Sequence, residues 1–121
     1  MNMTQSYKWL ITICNPIENG YTHEIIESVL SKMKSITYYC LSDETACTGT
    51  FHTHIFIYSE SGISFSTLLD YFNGCHFDIV HNTCWAARNY VFKAGKWLNF
   101  EEKETNHRDS HIEHGEMPID C

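Results

Sequence analysis

Apolar residues recur along the chain with two periods. Lys8-Trp9-Leu10-Ile11-Thr12-Ile13-Cys14 is a short apolar run rich in β-formers, and Asn15-Pro16 ends it, which predicts a buried strand. Over residues 23–34 the spacing changes: Ile25, Ile26, Val29, Leu30 and Met33 fall at helical intervals among charged residues, with Thr22 as the N-cap. Ile36 to Glu44 predicts a second strand, Ala46 to Gly49 a turn, and Thr50 to Tyr58 a third strand paired with the second as a hairpin. Ser59 to Gly62 reads as a loop. Ser64 to Phe72 predicts a short helix with Phe65, Leu68, Leu69 and Phe72 inward. Cys75 to Val80 predicts a fourth strand, and Asn82 or Thr83 caps a helix running to about Lys93, ended by Gly95. Trp97, Leu98 and Phe100 suit a last short strand.

The resulting order, β-α-β-β-α-β-α, implies an α+β fold of the ferredoxin-like kind: a central, mainly antiparallel sheet flanked by helices. Residues 1–100 form one domain in this reading. Residues 101–121 lack either period, are polar, acidic and His-containing, and are expected to be a flexible or lightly docked C-terminal tail.

Composition changes the picture at three points. No apolar run reaches the roughly 20 residues of a membrane helix, and the polar, uncharged N-terminus carries no secretory signal, so an intracellular protein without a membrane partner is expected. The six cysteines form no CxxC pair, and several lie in apolar runs, so they read as reduced thiols rather than a zinc finger or disulfide framework. The net charge of −7 weighs against nucleic acid, but residues 101–121 hold seven acids against two bases, leaving only −2 on residues 1–100. Binding to DNA would then rest on specific contacts and a cation rather than on a broad basic surface. There is no GxxxxGK[ST] loop, which excludes a P-loop nucleotide site.

The candidate chemistry begins at Phe51-His52-Thr53-His54. On a strand, alternate side chains share a face, so His52 and His54 project together, opposite Phe51, Thr53, Ile55 and Ile57. Two imidazoles so placed are half a metal site; two ordinary surface histidines are the plainer alternative. The preceding strand ends in Asp43-Glu44 and offers a carboxylate from one or the other. A mixed N/O set suits Mg²⁺ or Mn²⁺ in phosphate chemistry. Tyr90 and Lys93, three apart on a predicted helix, pair a candidate nucleophile with a cation; a surface tyrosine and a solvated lysine would look the same.

Together these segments resemble the HUH-type rolling-circle replication initiators of small circular single-stranded DNA viruses and related plasmids. Trp9 to Pro16 resembles their first motif, Thr48-Gly49-Thr50-Phe51-His52-Thr53-His54 the second and Tyr90-Val91-Phe92-Lys93 the third, while His76-Phe77-Asp78 and Gly95-Lys96-Trp97 also fit; the likeness covers about residues 8–97. Thr53 stands where a hydrophobic residue is usual, Phe51 where Pro is usual, and His54 where many viral members carry Gln.

The resemblance implies an HUH endonuclease fold related to the RNA-recognition-like sheet. It implies Glu44, His52 and His54 as ligands of one Mn²⁺ or Mg²⁺; a one-residue slip would put the adjoining Asp43 in place of Glu44. Tyr90 is implied as nucleophile and Lys93 as its helper. The implied substrate is single-stranded DNA at an origin stem-loop. Lys8, Trp9, Asn15, Arg88 and Lys96, with Tyr38, Tyr39 and Tyr58, are candidates for DNA contact. A full-length initiator would add a helicase domain absent from these 121 residues, and would work in the host nucleus if viral or in the cytoplasm if from a bacterial plasmid.

Three rivals are distinguishable. A single-tyrosine transposase usually carries a glutamine ligand after its tyrosine, and none follows Tyr90. A non-catalytic nucleic-acid-binding module needs neither paired histidines nor Tyr-x-x-Lys. A structural zinc site on His107, His111 and His114 has helix-compatible spacing but no apolar face beside it.

Overall fold

The computed structural model describes residues 4–98 and 104–118. Five strands form one antiparallel sheet in the order β4-β1-β3-β2-β5. They are β1 (Gln5–Cys14), β2 (Ile36–Ala46), β3 (Phe51–Ser64), β4 (His76–Ile79) and β5 (Glu104–Gly115). The helices are α1 (His23–Lys32), α2 (Phe65–Tyr71) and α3 (Cys84–Phe92). The α+β fold and its antiparallel sheet are those expected from the apolar pattern.

The sheet has a different partner on each face. One carries Trp9, Ile11, Ile13, Ile55 and Ile57 and packs on Ile26 and Leu30 of α1 and Leu68 of α2. The other carries Tyr38, Cys40 and Phe56 under Cys84, Ala87 and Val91 of α3. Because neighbouring residues in β2 and β3 serve opposite faces, one continuous strand contributes both to a hydrophobic core and to whatever α3 covers. The β2–β3 hairpin turns between Ala46 and Thr50, where Gly49 at φ 91° supplies the left-handed backbone that a residue with a Cβ rarely adopts.

Local signals place the helices. Thr22, Ser64 and Thr83 each accept a hydrogen bond from the backbone N–H three residues on, satisfying donors that a first helical turn leaves over. Thr83, not Asn82, therefore caps α3.

Five expectations need correction. Ser59 to Gly62 is no loop: β3 runs through it to Ser64, with a register shift against β1 between Ser6 and Lys8. Phe65 and Leu69 are exposed, so α2 buries a narrower stripe, Leu68 above all. Gly95–Trp97 is a 3-10 turn rather than a strand, Leu98 is exposed, and Phe100 lies outside the described residues. Cys14, Cys40, Cys47 and Cys75 are free thiols, whereas Cys84 is disulfide-bonded; Cys121 lies outside the described residues.

The largest correction concerns the expected flexible tail. Its residues 104–115 form β5, which pairs with β2 from Tyr38↔Gly115 to Ala46↔Glu104. Apolar periodicity is absent because β5 is held by hydrogen bonds and rings instead. Ser110 Oγ accepts from the Asp43 N–H at 2.8 Å, His107 stacks on Phe51, His111 on Phe92 and His114 on Tyr39. Two β2 positions, Leu41 and Asp43, pair with Ile112 and His107, so β5 bulges between those residues. From this bulge Arg108 donates to the carbonyls of Phe92 and Lys93, at the C-terminus of α3.

Candidate metal centre and nucleophile

Strand alternation and register build the centre. Glu44 lies directly across from His52, and Ser42 from His54. All four side chains are buried on the α3 face. Glu44, His52 and His54 bring their ligand atoms within 4.8 Å of one another. Asp43 takes the other face, accepting from Thr53 Oγ1 at 2.7 Å and lying 3.0 Å from His23 Nε2 of α1. The geometry thus offers Glu44, not its neighbour, to the two imidazoles.

The donor set fits a cation. Oε1 of Glu44 lies 3.5 Å from His52 Nε2 and 3.3 Å from His54 Nε2. Yet Glu44 Oε1 and His54 Nε2 are buried without a hydrogen-bond partner. His54 Nδ1 is 3.2 Å from Thr12 Oγ1. When Nδ1–H donates to that hydroxyl, the Nε2 lone pair faces the carboxylate oxygen. Two converging lone pairs in a dry setting are costly unless a positive charge sits between them. Burial alone would push the Glu44 carboxyl upward; His52, His54, Lys93 and Asn106 more than offset this and hold it well below the usual carboxylate range. A carboxylate held toward its ionised form and two imidazoles suit a small divalent ion.

Tyr90, on α3, stands beside this cluster. Its ring centre is 5.5 Å from that of His54, and Trp97 meets it edge-on at 5.1 Å. Lys93 is the C-cap of α3, in the left-handed region at φ 52°. That conformation turns its chain back under the helix, where the ammonium is 2.8 Å from Glu44 Oε2, 2.9 Å from the Tyr90 carbonyl and 3.8 Å from the Tyr90 ring centre. The pair expected from three-residue spacing on one helix face is therefore built differently: Lys93 lies against the face of the ring and ties it to the Glu44 carboxylate.

The candidate DNA contacts separate. Lys96 is exposed and lines a cleft of about 490 Å³ with Tyr90, Trp97, Leu10 and Asn82. The Lys8 ammonium donates to the Asn82 carbonyl at the same cleft. Asn15 is exposed just beyond β1, in the left-handed region at φ 48°. Tyr58 is half-buried against the α3-side core. Trp9 is a correction: it is 2% exposed, and its indole N–H is shared between the Ser6 and Ile63 carbonyls, so it cannot stack a base. Arg88 forms a two-pronged pair with Glu113 of β5, at 2.7 and 3.3 Å. Tyr38 and Tyr39 are buried, with hydroxyls donating to Glu113 and Glu27.

The sequence reading missed Asn106, which donates to Glu44 Oε2 at 2.9 Å. Nothing in a polar segment without periodicity singles it out. His107, His111 and His114 do not converge: each stacks on a different aromatic ring, and Glu44-His52-His54 is the metal-capable group found among the described residues.

No helix among the described residues is long and apolar enough to cross a membrane. No curated protein matches the chain. Residues 6–94, well over half of the chain and inclusive of every residue of the metal-capable group and Tyr90, match the family described as "Putative viral replication protein". The chain belongs to this viral replication protein family.

Proposed function

We propose that the chain is a replication-initiator endonuclease that nicks single-stranded origin DNA in a metal-dependent reaction, with Tyr90 as nucleophile. The observation that carries this is the placement of Tyr90, 5.5 Å ring to ring from His54, at a buried cluster with two unsatisfied ligand atoms. Glu44, His52 and His54 would hold one Mn²⁺ or Mg²⁺, which when bound supplies Lewis-acid stabilisation to a phosphoryl oxygen.

The chain's own residues do the rest. The Tyr90 phenolic oxygen bonds to phosphorus as the P–O3′ bond breaks. The departing oxygen keeps the bonding pair and takes up a proton, leaving a 3′-hydroxyl and a 5′-phosphotyrosine. One phosphodiester is exchanged for another, so a 3′-hydroxyl attacking the adduct rejoins the strand and frees Tyr90. Lys93 places the ring and balances the Glu44 charge, while Lys96 and Lys8 border the cleft where the strand would lie. The partner is a stem-loop origin presented as single strand. In a longer initiator a helicase domain would unwind the duplex while that 3′-hydroxyl primes replication, in the host nucleus for a viral protein.

The test uses single-stranded oligonucleotides carrying candidate stem-loop origins, with Mn²⁺, on denaturing gels. A covalent protein–DNA band is expected that disappears with EDTA and in Tyr90→Phe. Binding that survives EDTA, with no adduct from any origin and no Mn²⁺ uptake, contradicts the proposal and favours a non-catalytic binding module.

A further inference from the structure

The Glu44 carboxylate uses its two oxygens differently. Oε2 receives the Lys93 ammonium at 2.8 Å and the Asn106 amide at 2.9 Å, whereas Oε1 faces His52 and His54 without a hydrogen-bond partner. The Asn106 amide can be oriented in one way only. Around Nδ2 lie Glu44 Oε2, the Val91 carbonyl at 3.1 Å, and Ser42 Oγ at 3.1 Å, whose own hydrogen goes to Val91. All three are acceptors. Oδ1 is left to accept from His111 Nε2, 2.5 Å away, and that ring lies nearly parallel on Phe92 with centres 4.2 Å apart. Register supplies the rest: Glu44 pairs with Asn106 on one side exactly as it pairs with His52 on the other, so the carboxylate is held between an amide on β5 and an imidazole on β3.

We infer that Asn106, oriented by His111, is a positioning residue for the metal centre: it occupies Oε2 of Glu44 so that the carboxylate presents Oε1 alone to the ion. This deepens the function proposed above and rests on it. A hydrogen bond that fixes a ligating carboxylate typically changes metal affinity by about 10- to 100-fold when removed. Small divalent ions of this kind tolerate little departure from their preferred geometry, so freeing the carboxylate to rotate is expected to cost binding rather than folding.

The experiment titrates Mn²⁺ into the metal-free protein by calorimetry and by electron paramagnetic resonance, with urea unfolding run in parallel. Asn106→Leu keeps the side-chain volume but removes the amide and is expected to weaken Mn²⁺ binding about 10- to 100-fold, with an altered Mn²⁺ signal. His111→Phe keeps the ring on Phe92, loses the bond to Oδ1, and is expected to shift binding in the same direction by less. Ser110→Ala removes the Asp43 N–H contact that anchors β5 to β2 and a hydrogen bond to the His107 carbonyl within β5, neither of which reaches Glu44; it should lower the unfolding midpoint and leave Mn²⁺ affinity within twofold of wild type. Mn²⁺ binding by folded Asn106→Leu and His111→Phe equal to wild type overturns the inference. So does a loss in Ser110→Ala as large as that in Asn106→Leu, which would mean that strand docking alone matters. Wild-type protein that takes up no Mn²⁺ overturns the metal reading itself, a distinct failure that removes this inference with it.

Discussion

β3 and β5 flank the same strand and approach the same carboxylate, yet they are held in place by different forces. β3 runs through the middle of the sheet. Its residues Ile55, Phe56 and Ile57 are inaccessible to solvent, and His52 and His54 are fixed because the strand between two partners has no freedom to turn. β5 lies on an edge, with Ile112 half-buried against the core, and is fastened by Ser110, Asn106 and three stacked histidines. The difference teaches that the two histidines proposed as metal ligands sit on the strand whose position is set by apolar burial, next to the strand that carries Glu44. Asn106, the group proposed to orient the Glu44 carboxylate, comes from a strand set by polar contacts, whose energies are individually near ~1 kcal/mol.

That contrast can be broken at four points. The largest stability effect belongs to β3: Ile55→Ala should cost about 2–5 kcal/mol, because a fully buried branched side chain leaves a cavity. His114→Ala on β5, losing a ring contact with Tyr39, should cost less than about 1.5 kcal/mol. Urea unfolding of the two variants measures the gap directly, and equal losses would remove the distinction. Next in size is His54→Ala, expected to weaken Mn²⁺ binding more than about 100-fold, beyond the range for outer-shell groups, while the protein still folds. Calorimetry reads this.

Smaller effects sharpen the picture at β5. Arg108→Ala removes two donors from the last carbonyls of α3 and should cost about 1 kcal/mol in thermal unfolding. Since Arg108 does not touch Glu44, Mn²⁺ affinity should stay unchanged. The smallest effect is a pH dependence. Burial beside Phe92, together with the charges of Arg108 and Arg88, lowers the His111 pKa below its ordinary 6.5. A histidine depressed in the fold contributes stability above its unfolded pKa and loses it as pH falls toward the folded value. Wild type should therefore lose more stability than His111→Phe between about pH 7.5 and pH 5.5, where an unperturbed histidine titrates. Parallel urea curves at the two pH values provide the comparison.

The same contrast explains what could be read from the sequence. β1, β2, β3 as far as Tyr58, the turn at Gly49 and the cap at Thr22 follow from local pattern, because their side chains are sorted by water; the continuation of β3 to Ser64 and the choice of Thr83 over Asn82 do not. Strand alternation put His52 and His54 on one face, and register then brought Glu44 to them in one cluster. Asp43 and Glu44 could not be separated by spacing alone; the pairing of Glu44 with His52 separates them. Trp9 looked like a stacking surface because an aromatic residue at the start of a motif carries no sign of the Ile63 carbonyl that takes its N–H. The twist that folds Lys93 beneath Tyr90 depends on a left-handed backbone at a residue other than glycine, which no periodicity announces. β5 was illegible for a related reason: its partners are single polar atoms on a strand more than 50 residues away in the chain.

The most direct test of the account locates the covalent bond. Trypsin cuts after Arg88 and Lys93, so Tyr90 falls in the short peptide Asn89-Tyr90-Val91-Phe92-Lys93. After reaction with a stem-loop origin oligonucleotide and Mn²⁺, followed by nuclease and protease digestion, mass spectrometry should find this peptide carrying a 5′-linked nucleotide, and should not find it when Mn²⁺ is withheld. A nicked oligonucleotide ending in a free 5′-phosphate with no modified peptide, or a nucleotide on any other tyrosine, would contradict the assignment of Tyr90 as nucleophile.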